Sequence, residues 1–227
     1  MARHNILQKV AIFLLETLGD QLWGFRPNLM APFVVQKGAF PAVFWFLKNM
    51  PKYERILESW GPIRTHLLAT EISTLNGCAY CTHGHAYAFQ LHYLKIREAL
   101  FPLSEANIWA LHELPEAKIV QRFEQTLEQV DLPLESLDLR RMVELRKNPT
   151  LATTQKDKDI CQLIEMFGTL NACGIYGNVQ ADQAHDPINK ERIWRDRYAN
   201  RRAAQQQQPA ISAEPRLTIL NPKDFQL

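Results

Sequence analysis

Asn76-Gly77-Cys78-Ala79-Tyr80-Cys81-Thr82-His83-Gly84-His85 is the stretch on which the reading of this chain turns. Before it, His66 to Leu75 reads as a helix, and Asn76-Gly77 is a dipeptide that ends one, since both residues tolerate the left-handed backbone of a C-cap. After it, His83 to Glu98 reads as a second helix. The two thiols then fall at or near the start of that helix, where unpaired N–H groups and the positive dipole end stabilise a thiolate. At helical spacing Cys78, Cys81 and His85 lie within about 60° of one another. The stretch is a thiol pair with a base beside it.

The same punctuation recurs outward in both directions. Ile6 to Trp23 carries apolar residues at helical period (Ile6, Val10, Phe13, Leu14, Leu18) and is closed by Gly24 and Pro27. A loop through Pro32 and Gly38 is expected next, then an aromatic-rich helix start at 42–47 behind Pro41, a break at Pro51, and a further helix from Tyr53 to Trp60. Gly61-Pro62 opens the helix that carries His66 and Glu71, and the cysteine helix runs to about Leu100. Helices follow at 105–113, 116–130, 134–147 and 155–168, separated by proline or by capping serine and threonine. Strand evidence is almost absent, with no Asn-Gly hairpin flanked by alternating residues and no βαβ rhythm, so the expected fold is all-α.

With 227 residues, 46% of them hydrophobic and 22% charged, the chain reads as a globular protein with one all-helical domain over 1–200. A net charge of +2 gives no ground for a nucleic-acid partner, and the basic run Arg192, Arg195, Arg197, Arg201 and Arg202 reads as a solvated helix end. The first apolar run is too short for a secretory signal and is followed at once by Glu16 and Asp20. No stretch approaches the ~18 apolar residues of a membrane-spanning helix. Two cysteines at redox spacing and two scattered ones, Cys161 and Cys173, fit a reducing cytoplasm better than a secreted disulfide framework. Residues 201–227 change composition and read as a disordered tail or an arm lying on a neighbouring subunit.

A weak internal repeat accompanies the motif. Thr74-Leu75-Asn76-Gly77-Cys78 returns as Thr169-Leu170-Asn171-Ala172-Cys173, displaced by 95 residues, while Cys81 and His85 have no chemical counterparts. A true repeat would divide the domain into a redox-motif unit, 41–100, and a degenerate second unit, 150–198, with Cys173 a buried or semi-buried remnant.

A peroxide-reducing thiol must ionise, and an unperturbed thiol with pKa near ~8.5 is only slightly ionised at neutral pH. A helix N-terminus and a neighbouring imidazole both favour the thiolate. A second thiol one turn away can trap the sulfenic acid as a disulfide before overoxidation. On these residues, Leu75 to His85 resembles the core motif of the alkylhydroperoxidase D and carboxymuconolactone decarboxylase-like superfamily, the likeness extending over 41–100. The resemblance implies a compact multi-helix fold and a homo-oligomer. It also implies a peroxidase in which Cys81 attacks an organic or hydrogen peroxide, Cys78 resolves it, and His85 belongs to a proton relay. Its reductant would be an external dithiol, thioredoxin-like or lipoyl-bearing, with no cofactor and no membrane partner. The family's relay carries a glutamate twelve residues before the first cysteine. Here that position is His66, and Glu71 is the nearest acidic replacement.

Other readings stand beside this one. Cys78, Cys81 and His85 could hold a metal with His66 or Glu71 as fourth ligand, although structural zinc sites usually draw ligand pairs from separate segments. A disulfide oxidoreductase without peroxidase activity and a non-enzymatic helical oligomer are the remaining alternatives. His83 reads as a rim residue, Tyr80 as packing and Cys161 as core, and the isolated His92 and His112 receive no role.

Overall fold

The computed structural model describes residues 5–207, and the chain is all-α: among these residues there is no strand. Ten α-helices follow one another as α1 (Ile6–Trp23), α2 (Met30–Lys37), α3 (Ala39–Trp60), α4 (Pro62–Leu75), α5 (Ala79–Arg97), α6 (Glu105–Ala110), α7 (Glu116–Gln129), α8 (Pro133–Lys147), α9 (Gln155–Tyr176) and α10 (Arg192–Gln207). The most extensive packing joins α4 to α5 across the Asn76–Cys78 turn, and α9 lies against both.

This pair is the centre of the core. Every residue from Thr65 to Thr74 is buried, and α5 is buried on nearly all sides as far as Leu94. A helix enclosed all round must satisfy its own polar groups. Thr70 and Thr74 do so by donating to the carbonyls one turn earlier, at 2.7 and 2.8 Å. The turn between the helices works through Gly77, whose φ of 73° lies in the left-handed region that a side chain resists. At the repeat's second copy that position is Ala172, and α9 runs straight through it to Tyr176. The two copies nonetheless touch: Asn76 Nδ2 donates to Asn171 Oδ1 at 3.3 Å. Thus residues 169–173 lack the helix break that creates the site at 74–78.

Three expected breaks are absent. Pro32 lies in the first turn of α2, where its missing N–H costs nothing, so the expected loop is helical. Pro51 sits exposed inside a continuous α3, whose buried face Ala42, Phe46, Asn49, Met50, Tyr53 and Ile56 passes under it without interruption. That burial outweighs the lost hydrogen bond and the ring clash, about 3 kcal/mol. Gly168 likewise fails to end α9. At the far end α10 continues through Arg201 and Arg202 to Gln207. Its arginines are more than a solvated helix end: Arg202 donates to the Phe101 carbonyl at 2.8 Å and to the Tyr198 hydroxyl at 2.9 Å, and Arg195 to Gln183 at 3.2 Å. The rest of the expected tail, 208–227, lies outside the described residues.

Between α9 and α10 the chain runs as a strap, helical only in the 3₁₀ turn Pro187–Lys190, yet Ala184, His185, Asp186, Ile188 and Asn189 are all buried. Backbone carbonyls of α5 and α1 help to seat it. The His185 amide donates to the Gly84 carbonyl at 3.1 Å, and Asn189 Nδ2 donates to the Trp23 carbonyl at 3.0 Å. The glycine of the motif is what admits it, because a Cβ on Gly84 would stand 2.3 Å from His185 Cε1. The imidazole cannot retreat, being stacked on Trp23 and Phe25. Gly84→Ala is therefore expected to destabilise the protein by about 1–3 kcal/mol, read as a lowered melting temperature. An unchanged melting temperature would show that the strap can lift freely from α5.

Among the described residues no single helix is long and apolar enough to cross a membrane.

Candidate functional site

Cys78 is the N-cap of α5 and Cys81 lies in its first turn, so the thiols sit where the sequence puts them. The Cys81 amide donates to Cys78 Sγ at 3.4 Å, one of the free N–H groups of a helix start. The two thiols differ in character. The Cys81 thiol donating to Cys78 lowers the Cys78 pKa, helped by backbone N–H groups and Asn171. The same bond, together with burial, pushes Cys81 well up. In this pairing Cys81 is the donor and Cys78 the acceptor. Both are buried, but Cys81, not Cys78, lines a cavity of about 30 Å³. Cys78 faces the backbone of α9, where a Cβ on Gly174 would stand 2.8 Å from its sulfur.

The cavity is large enough for a water-sized guest. Its walls are mostly apolar, with Trp45, Phe46, Met166 and Phe167 beside Cys81, and His85 and His185 are its imidazoles. His85 Nδ1 lies 3.1 Å from His66 Nδ1, and His66 Nε2 lies 2.8 Å from Asp186 Oδ2. The other oxygen of Asp186 meets His92 Nε2 at 2.9 Å. Burial opposes ionisation of Asp186, but the hydrogen bonds from the two imidazoles outweigh it and hold the carboxyl far below its ordinary range. Burial lowers the pKa of His66 and, more strongly, of His85, so both rings are neutral at neutral pH.

These protonation states fix a direction. A carboxylate only accepts, so His66 carries its proton on Nε2 and its Nδ1 is a lone pair. His85 must then donate from Nδ1, which leaves its Nε2 as an acceptor. The Tyr53 hydroxyl also reaches His66 Nδ1, at 3.4 Å. The chain Asp186–His66–His85 thus ends in a base on the helix face that carries Cys81 one turn earlier.

His66 is where a relay residue is expected, and the negative charge it cannot itself supply comes from Asp186. Glu71 is not part of this arrangement. Five residues beyond His66, it is turned about 140° around α4. It is buried, both its oxygens lack partners, and its charged neighbours are Asp138, Glu135 and Glu124 of α7 and α8. Burial first, and those acids second, push its pKa well up. The folded protein therefore holds this proton above the pH at which the unfolded chain releases it. The stabilising contribution is full below the unfolded carboxylate range, near ~4.3, and is lost as pH rises through the folded value. Glu71→Met, which removes the orphaned oxygens at similar volume, is expected to stabilise the protein at pH 8 by about 1–3 kcal/mol, or roughly 2–4 °C in Tm per kcal/mol. The gain should shrink toward pH 4 in parallel melts. A loss of stability at pH 8 would mean that Glu71 has a partner there.

Several site residues were not anticipated. His92, expected to have no role, holds the second oxygen of Asp186. Asp182 and His185 form a second pair at 3.1 Å, and Tyr80, expected as packing, donates to Asp182 Oδ2 at 2.9 Å while lining the cavity. His83 is half-buried beside Tyr87 and takes no part, Cys161 is half-buried, and Cys173 is buried. Comparison of the chain with family models, curated proteins and solved structures finds no match.

Proposed function

We propose that the protein is a dithiol peroxidase that reduces a small organic or hydrogen peroxide, in the manner of the alkylhydroperoxidase D-like superfamily that its motif resembles. The carrying observation is that Cys81 and His85 share one small, mostly apolar cavity while Cys78 is hydrogen-bonded to Cys81 behind it. Cys81 gives its proton to His85 Nε2, and its sulfur attacks one peroxide oxygen. The O–O bond breaks, the leaving oxygen takes the proton from His85, and Cys81 becomes a sulfenic acid. Cys78 gives its proton to the now neutral His85 and attacks that sulfur; the S–S bond forms, and the hydroxyl leaves as water by taking that proton. Two electrons have passed from the dithiol to the peroxide, and an external thioredoxin-like or lipoyl dithiol restores them.

The closeness of α9 to Cys78 and the small cavity favour a small substrate over direct exchange with a protein disulfide. A homo-oligomer remains part of the reading, supported by the exposed Phe13, Phe40 and Phe44 on α1 and α3. The test is intact and peptide mass spectrometry after one equivalent of an organic hydroperoxide or hydrogen peroxide. A Cys78–Cys81 disulfide is expected, two hydrogens lighter than the dithiol. Persistence of two free thiols would refute the proposal.

A further inference from the structure

We propose that His66, His92 and Asp186 form a binding site for a first-row divalent cation, for which Zn²⁺ is the probe. Each offers one donor atom, an imidazole nitrogen or a carboxylate oxygen, and the three lie within 4.8 Å of one another. They arrive from three separate segments: α4, α5 and the strap. Convergence of ligands from distant segments is the arrangement of a built metal site. Neither the imidazole of His66 nor the carboxylate of Asp186 is appreciably exposed, and His92 is partly open, its side chain 16% exposed.

Little rearrangement is needed. Tetrahedral ligands at Zn–N and Zn–O distances of about 2.0–2.2 Å stand about 3.4 Å apart. The two imidazoles meet different oxygens of Asp186, at 2.8 and 2.9 Å, so an ion replacing the two bridging protons needs one ring to turn toward the oxygen that the other already meets. Outer contacts already orient the ligands: His66 Nδ1 meets His85 and Tyr53, and Asp186 Oδ1 accepts from the Ile188 amide at 2.7 Å. The open edge at His92 leaves a coordination position for water. This ligand set excludes the thiols, unlike the Cys78–Cys81–His85 site considered from the sequence, and it does not rest on the peroxidase reading. The cation and the proton chain both need Asp186, so the two uses exclude one another.

Isothermal titration of ZnCl₂ into tag-free, chelator-stripped protein is the test. One equivalent per chain is expected to bind. Affinity should fall about 100-fold or more in Asp186→Asn and in His92→Ala, and stay at the wild-type value in the Cys78→Ser/Cys81→Ser double variant. His92→Gln, which keeps a donor to Asp186, guards against a folding artefact and should weaken binding as His92→Ala does. Absence of binding to the wild type, wild-type affinity in Asp186→Asn or either His92 variant, or loss of binding in the double cysteine variant would each overturn the proposal. Disulfide formation in the metal-free protein is a separate result, so either reading can fail alone.

Discussion

Cys81→Ser is expected to abolish peroxide turnover, and Cys78→Ser to spare the first oxidation while stopping the cycle after it. The asymmetry follows from the site. Only Cys81 lines the cavity, so a serine there leaves the peroxide no sulfur to meet, whatever the state of Cys78. Cys78 is the more readily ionised thiol, but it lies against Gly174 and away from the cavity. With serine at 78, Cys81 still has His85 one turn along α5 to take its proton. Its sulfenic acid then has no resolving thiol and should accumulate, to be trapped by a dione probe or to advance to sulfinic acid with excess peroxide. The measurement pairs a peroxide-consumption assay with peptide mass spectrometry on both variants. Turnover undiminished in Cys81→Ser, or adducts confined to Cys78, would assign the attacking role to the other thiol.

What could be read in the sequence was local. The α4–α5 break was legible because Asn76-Gly77 writes a cap within four residues and the thiol spacing is fixed by one helical turn. Proline misled at Pro32 and Pro51 because its effect depends on position in the turn and on the burial around it, neither of which is a local property. The Asp186–His66–His85 chain was half legible. His66 and His85 lie 19 residues apart on adjoining helices, so one helical hairpin brings them together. Asp186 is 120 residues from His66, on a strap with no periodic pattern, and its only local sign is Asp186-Pro187 as a cap and first position of a short turn. That sign predicts a turn and says nothing of what the carboxylate meets. Glu71 is the nearest acid in sequence, and helical geometry turns it away from His66 toward the acids of α7 and α8.

The residue that matters more than Glu71 is therefore Asp186, and Asp186→Asn is expected to slow oxidation of Cys81 about 100-fold, within the range general-base catalysis supplies. The argument concerns proton direction more than charge alone. The carboxylate accepts from His66 Nε2 and His92 Nε2 at once, which forces His66 to present a lone pair to His85. An asparagine amide has one acceptor and one donor, so it cannot accept from both rings with both of its atoms. If its NH₂ faces His66, that ring must shift its proton to Nδ1 and donate to His85. His85 Nε2 then bears a hydrogen and cannot take one from Cys81. Stopped-flow oxidation of metal-free protein under single-turnover conditions reads the rate directly. Asp186→Glu, which keeps an acceptor-only group, should recover part of it, whereas a merely structural role would leave the glutamate no better than the asparagine. A folded Asp186→Asn variant that oxidises within twofold of the wild-type rate would remove Asp186 from the chain and leave His85 to act without it.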